Sequence, residues 1–208
     1  MRRFLLLAHR VPLDGNFTLN DLAGGAGRMD EVARTVSTAF TLSNDLRRDT
    51  TVTVLFLSAP APKCRRIDLD GSRLRFLNPD ERSTGALLKN ALVRSSTSFE
   101  PIDASPGLKV APADPQAVIK GFAALPDTIW LEESGAPLSE WKPGGTSFGA
   151  VVSDPFNATE EEQHLLEVRS VPRISVGPRS LRSSQVVDIV HNEFDRREAK
   201  ARRASGPS

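Results

Sequence analysis

The chain has 208 residues, with 27 basic and 26 acidic side chains and a formal net charge of +1. That length allows one or two domains, and the near balance of charge excludes a strong overall nucleic-acid footprint while leaving room for a local patch. A single cysteine, Cys64, excludes an internal disulfide; three scattered histidines and no His-Glu-x-x-His or Cys-x-x-Cys spacing exclude common zinc sites, so no metal is expected.

The chain opens with "MRRFLLLAHR". Its apolar run, Phe4 to Ala8, is too short for a secretory core or a membrane span and predicts a buried strand. No membrane partner is expected, and a reducing, cytoplasmic location fits the cysteine usage. "GGAGRMDEVARTV" follows at 24–36 and runs into a helix predicted over Arg28 to Ser43, with Val32, Val36, Ala39 and Phe40 on one face. "TVTVLFL" at 51–57 is almost continuously apolar, as in a strand covered on both sides. Residues 66–76 predict a hairpin, with Asp70-Gly71 as its turn. A helix is predicted over Pro79 to Val93, with Asp80 and Glu81 in its first turn and Leu88, Ala91 and Leu92 on its inner stripe.

Residues 101–116, rich in Pro, Ala and Ser, predict a connection. Asp114 then caps a helix with Pro115 at its first position. "DTIWLE" predicts a strand followed by a long loop over 132–147, and "SFGAVVSD" predicts the next strand. Thr159 and Glu162 form a capping box ahead of "EEEQHLLEV". "PRISVG" predicts a further strand, Gly177-Pro178 a turn, and Ser184 the start of a last helix with Val186, Val190 and Phe194 facing inward. The expected organisation is one domain over 1–198 and a basic, frayed tail over 199–208. Strands alternating with helices predict an α/β fold with a mainly parallel sheet, whose ligands bind beyond the carboxyl ends of the strands.

No G-x-G-x-x-G follows a strand, and no phosphate-binding G-x-x-x-x-G-K-[ST] is present. Three clusters mix acid with arginine: Arg28 with Asp30, Asp45 with Arg47 and Arg48, and Asp80 with Arg82. Helix electrostatics accounts for Asp30 at a helix start, and for arginines at a helix end, but not for Arg28. Taken together, the clusters suit a polar, anionic ligand such as a nucleotide.

"AGRMDEVARTVSTAFTLSNDLRRDT", "NPDERS" and "RISVGPRSL…DIVHNEFD" resemble the TrmY family of S-adenosylmethionine-dependent methyltransferases. Archaeal members of that family methylate N1 of a pseudouridine in the tRNA T-loop. The resemblance implies a SPOUT-type sheet with a C-terminal trefoil knot, a homodimer, and S-adenosylmethionine held by three knot segments. Those segments correspond here to Leu131, Glu132 and Gly135; Val152, Ser153 and Asp154; and Ile174, Val176, Gly177 and Leu181. The family's L-H-x-x-H-C after the knot turn is replaced by Leu181-Arg182-Ser183-Ser184-Gln185-Val186. An rRNA or free-nucleoside methyltransferase and a non-catalytic RNA-binding knot protein are the alternatives. A pseudouridine N1 must lose a proton, so a carboxylate within reach serves as general base. Asp30 is the first choice for that role, with Arg28 holding the uracil edge or the phosphate, and with Asp45, Arg47, Arg48, Asp80 and Arg82 on the substrate side.

Overall fold

The computed structural model describes residues 1–59 and 63–204. At its centre lies β1 (Arg2–Ala8), flanked by β2 (Thr50–Phe56) and β7 (Phe148–Ser153), both parallel to it. The apolar run of β1 is continuous because both of its faces are covered. Phe4, Leu6 and Ala8 enter one core, and Leu5 and Leu7 enter a second on the other side of the sheet. Neighbouring strands divide in the same way: Val54 and Val152 join the first core, and Leu55 and Val151 the second.

The remaining strands are β3 (Arg65–Asp70), β4 (Ile102–Ser105), β5 (Leu108–Pro112), β6 (Thr128–Pro137) and β8 (Arg173–Ser175). Their order in the single eight-stranded sheet is β4-β5-β3-β2-β1-β7-β6-β8. From β2 to β8 every pairing is parallel, whereas β3, β5 and β4 pair antiparallel. The first core is covered by α1 (Met29–Phe40), α2 (Glu81–Ser95) and α5 (Ser183–Ala204), and the second by α3 (Pro115–Ala123) and α4 (Glu160–Glu167). The α/β class and the mostly parallel sheet are as predicted. So are the Asp114 cap and the Thr159–Glu162 capping box.

Several local expectations are corrected. The hairpin at 66–76 does not form: β3 pairs with β2 and β5, and after Asp70 the chain turns away, held by Leu74 N–H donating to Asp70 O at 2.9 Å. The stretch 101–116 is not a plain connection but holds the β4–β5 hairpin, whose turn places Gly107 at φ 77°. The loop expected from 132 is strand as far as Pro137. In α5 it is Val187 that is fully buried, and Val186 is only half-buried. The tail expected from residue 199 is helical to Ala204; its last part, 205–208, lies outside the described residues. The apolar faces of α1 and α5 are buried within one chain. Phe194 stacks on Phe148 with centroids 4.0 Å apart.

Candidate active site

A cavity of about 630 Å³ opens beyond the carboxyl ends of β7, β6 and β8. Its position follows from the parallel strands, which all end on that side. Its wall on the β6 side comes from an irregularity in the ladder. Ile174 of β8 pairs with both Leu131 and Ala136, so residues 132–135 bulge out of the ladder and Glu132 and Glu133 line the cavity. Gly135 is required there, because a Cβ on it would stand 2.4 Å from the backbone of Arg173 and Ile174.

Nine of the ten residues expected to hold the cofactor line this cavity: Leu131 and Glu132; Val152, Ser153 and Asp154; Ile174, Val176, Gly177 and Leu181. The tenth, Gly135, lines an adjoining cavity of about 550 Å³ on the other side of the Val176–Gly177 turn. A Cβ on Gly177 meets no atom within 4 Å, so the turn tolerates a side chain and the open space beside it is cavity.

The cavity floor is braced by contacts the sequence reading did not include. Asp154 accepts from the His9 backbone N–H at 2.7 Å, from His9 Nδ1 at 2.8 Å and from the Phe156 N–H at 3.0 Å. His9 Nε2 reaches Glu162 Oε2 at 3.0 Å, and the same oxygen accepts the Thr159 N–H. Burial disfavours the charged imidazole, but the two carboxylates outweigh it and raise the His9 pKa to about 9. His9 is therefore a cation tying the end of β1 to β7 and α4. A histidine directly after a buried apolar strand was the signal available for it. On the opposite wall the Ser183 hydroxyl donates to Ser153 O, while Ser184 donates from N at 3.2 Å and from Oγ at 2.9 Å to Glu31 Oε1. The turn that follows β8 is thereby fastened both to β7 and to the first turn of α1.

Arg28 and Asp30 stand at that same helix start. Arg28 is the N-cap and adopts φ 71°, ψ 32°, a left-handed conformation uncommon outside glycine, and makes no side-chain cap. Its guanidinium forks Asp30 instead, Nε to Oδ1 at 2.9 Å and Nη2 to Oδ2 at 3.0 Å. Arg34 Nη2 adds a third bond at 2.7 Å. Burial alone raises the Asp30 pKa, but the Arg28 bonds and charge, with Arg34 behind them, leave it lowered. Glu31, next to Asp30, accepts from Ser184, the neighbour of the lining residue Ser183, and this places the helix start beside the cavity.

Of the other predicted substrate residues, Asp80 and Arg82 flank Glu81, which pairs at 3.4 Å with the same Arg34 that holds Asp30, whereas Asp45, Arg47 and Arg48 lie elsewhere. Arg47 forks Asp195 at 3.1 and 2.7 Å. Arg48 donates to Gly71 O and Leu74 O and pairs with Asp45. These contacts lie at the amino ends of β1 and β2, beside buried Arg2, which also pairs with Asp195. The twelve residues of α1, roughly 18 Å of helix, separate them from Arg28. Asp80 caps α2 by accepting from Ser83 N at 2.8 Å, and Arg82 donates to Leu19 O and Asn20 Oδ1. Each of these five is thus engaged in holding the fold together.

A family model described as "Putative SAM-dependent RNA methyltransferase" matches residues 1–199. Nearly the whole sequence is covered, cavity segments included. The chain belongs to this family. Within the RNA methyltransferase family, relatives include the tRNA (pseudouridine(54)-N(1))-methyltransferase of Methanococcoides burtonii, 36% identical over 197 residues that make up 94% of this chain and 96% of that one. The enzyme of the same name from Methanosarcina acetivorans is 38% identical over 200 residues, 96% of this chain and 93% of that one. Among solved structures, Nep1 of Archaeoglobus fulgidus bound to S-adenosylhomocysteine superposes with a TM-score of 0.62 over 95% of this chain and 98% of that one, at 15% identity. That likeness is one of fold.

Proposed function

We propose that this protein transfers a methyl group from S-adenosylmethionine to N1 of a pseudouridine in tRNA. The observation that carries the reading is the cavity into which the ends of β6, β7 and β8 converge, with the start of α1 and its Arg28–Asp30 pair fastened to its wall through Ser184 and Glu31. Its residues suit the donor. Leu131, Val152, Ile174, Val176 and Leu181 offer an apolar lining for a purine, and Glu132 and Ser153 offer polar groups at its edge. When bound, the donor supplies an electrophilic methyl group on a sulfonium.

The rest of the chemistry belongs to the protein. Arg28, about a third exposed, turns from Asp30 to the polar edge of the base. Arg34 keeps its hold on Asp30. With one of its two arginines gone, the Asp30 carboxylate is a stronger base and accepts the N1 proton. Holding base and donor in line supplies most of the rate. The Ser184–Glu31 bonds keep the donor wall and the start of α1 in register. A trefoil knot formed by the segments after β6 and β8, a homodimer and a cytoplasmic location complete the reading.

Incubation with methyl donor and, in parallel, pseudouridine-containing tRNA, small-subunit rRNA fragments and free pseudouridine tests it by nucleoside mass spectrometry. N1-methylpseudouridine in the tRNA is the expected result. Methylation confined to rRNA or free nucleoside overturns the substrate, and donor binding without transfer to any of the three overturns the enzyme reading. Sedimentation at micromolar concentration tests the homodimer, which a monomer overturns.

A further inference from the structure

Arg10 follows His9 at the carboxyl end of β1 and is exposed. Its guanidinium carbon lies 3.7 Å from the centroid of the Phe156 ring. Phe156 is itself 37% exposed, an unusual setting for phenylalanine. It sits between Pro155 and Asn157, which line one lip of the cavity. Asp154 fixes this lip by accepting the Phe156 N–H, and His9 fixes Asp154. Arg10 is held from its other side, since Gly27 packs so closely on Arg10 O that a Cβ would come within 2.0 Å. The stacked pair is therefore set on a rigid frame although both members face solvent.

The opposite lip, the turn between β8 and α5, carries Arg179 and Arg182, both exposed. Arg10, Arg179 and Arg182 form no ion pair among the described residues, whereas Arg2, Arg28, Arg34, Arg47 and Arg48 all do. Free guanidinium groups on both sides of one opening, in a chain with a net charge of only +1, form the local patch that the overall balance conceals. A nucleoside has no phosphate for them to meet; an RNA strand carries one on either side of every nucleotide.

We infer that Arg10, stacked on Phe156, and Arg179 with Arg182 form a two-sided clamp on the RNA backbone across the cavity mouth, binding the phosphates that flank the target nucleotide. The Phe156 ring adds an aromatic face against which an unstacked base rests. The clamp rests on the proposed function and names the part of the protein that distinguishes an RNA chain from a free nucleoside. The methionine carboxylate of the donor is the other anion that arginines here could meet, and donor affinity separates the two.

The test compares the full-length wild-type protein with Arg10→Ala, Phe156→Ala, the pair Arg179→Ala/Arg182→Ala, and the three arginine changes combined. Affinity for pseudouridine-containing tRNA is measured from 50 to 300 mM salt, and S-adenosylhomocysteine binding by calorimetry. The triple variant is expected to bind tRNA at least tenfold more weakly, with the slope of log affinity against log salt reduced by about 2–3, as for three lost phosphate contacts. Phe156→Ala is expected to weaken binding about fivefold to tenfold with an unchanged salt slope. S-adenosylhomocysteine affinity stays within twofold in all variants. Wild-type protein that methylates tRNA, beside a triple variant of unchanged tRNA affinity and slope, overturns the clamp alone. A selective loss of S-adenosylhomocysteine binding in the Arg179/Arg182 pair assigns those arginines to the donor and also overturns it. Wild-type protein that methylates no tRNA overturns the proposed function and the clamp together.

Discussion

Arg28 grips both carboxylate oxygens of Asp30, at 2.9 and 3.0 Å, from a backbone conformation that glycine normally occupies. A helix needs neither feature at its start, since a serine or threonine cap would stabilise it more simply. The pair therefore carries a cost in backbone freedom that a purely structural role leaves unexplained.

Asp30→Asn keeps the shape and removes the base. Methyl transfer to tRNA is expected to fall about 10²–10⁴-fold, with S-adenosylhomocysteine affinity unchanged. Single-turnover kinetics beside calorimetry reads both. Turnover within a factor of three of wild type removes Asp30 from proton transfer and leaves it as the anchor of Arg28.

Raising the pH past neutral should loosen the cavity floor. The His9 pKa is raised to about 9 in the fold from an ordinary 6.5. Its pairing with Asp154 and Glu162 thus contributes fully below about pH 6.5 and is lost as pH climbs through 9. The contribution at stake is up to about 3 kcal/mol. Urea unfolding between pH 6.5 and 9.5 is expected to show this decline in wild type and a flatter profile in His9→Gln.

The acid limb belongs to His191. Burial, and then the charges of Arg47 and Arg2, press its pKa down to about 3. Arg2 Nη1 donates to its Nδ1 at 3.1 Å, a bond that needs the neutral ring. The unfolded chain takes up this proton near pH 6.5, so stability is lost as pH falls from there towards 3, by a few kcal/mol on the order of the shift. His191→Asn is expected to be less stable at neutral pH and to lose less on acidification, read from the same unfolding curves.

Two glycines of the site should respond in opposite ways. Gly177→Val is expected to fold with a melting temperature near that of wild type, because nothing stands within 4 Å of a Cβ there, and to lose S-adenosylhomocysteine binding at least tenfold by filling the cavity. Gly135→Ala drives a methyl group into the Arg173–Ile174 backbone and is expected to cost about 1–3 kcal/mol or more. A Gly177→Val protein that binds S-adenosylhomocysteine normally would falsify the position of the donor.

The strand pattern alone placed a ligand only beyond the carboxyl ends of the strands, and it was the resemblance carried by "RISVGPRSL" that implied the three segments lining the cavity. Arg28 and Asp30 stood out because a cation at a helix start contradicts helix electrostatics. The contacts that Asp45, Arg47, Arg48, Asp80 and Arg82 make within the fold were not legible for the converse reason. A mixed cluster reads alike whether it meets a ligand or a distant part of the chain, and the partners of Arg47 and Arg82 lie 148 and 63 residues away. The partners of His9 and Glu31 were hidden on the same ground, since Asp154 and Ser184 reach them from the far third of the sequence. The hairpin at 66–76 failed where a competing neighbour won: β5 offers β3 a longer antiparallel edge than residues 71–76 do.

The double pairing of Ile174 with Leu131 and Ala136 also sets an order of assembly. The wall of residues 132–135 is shaped by a strand that emerges from the ribosome some forty residues later, and β1 waits far longer for β7, since Arg2 pairs with Phe148. A nascent chain that ends before Arg173 therefore has most of its sheet and both helices of the second core, yet no donor cavity. Ligand cannot guide the early stages of folding. It can reward only a polypeptide whose last third has already arrived, which makes donor binding a late check on completed synthesis rather than a template for it.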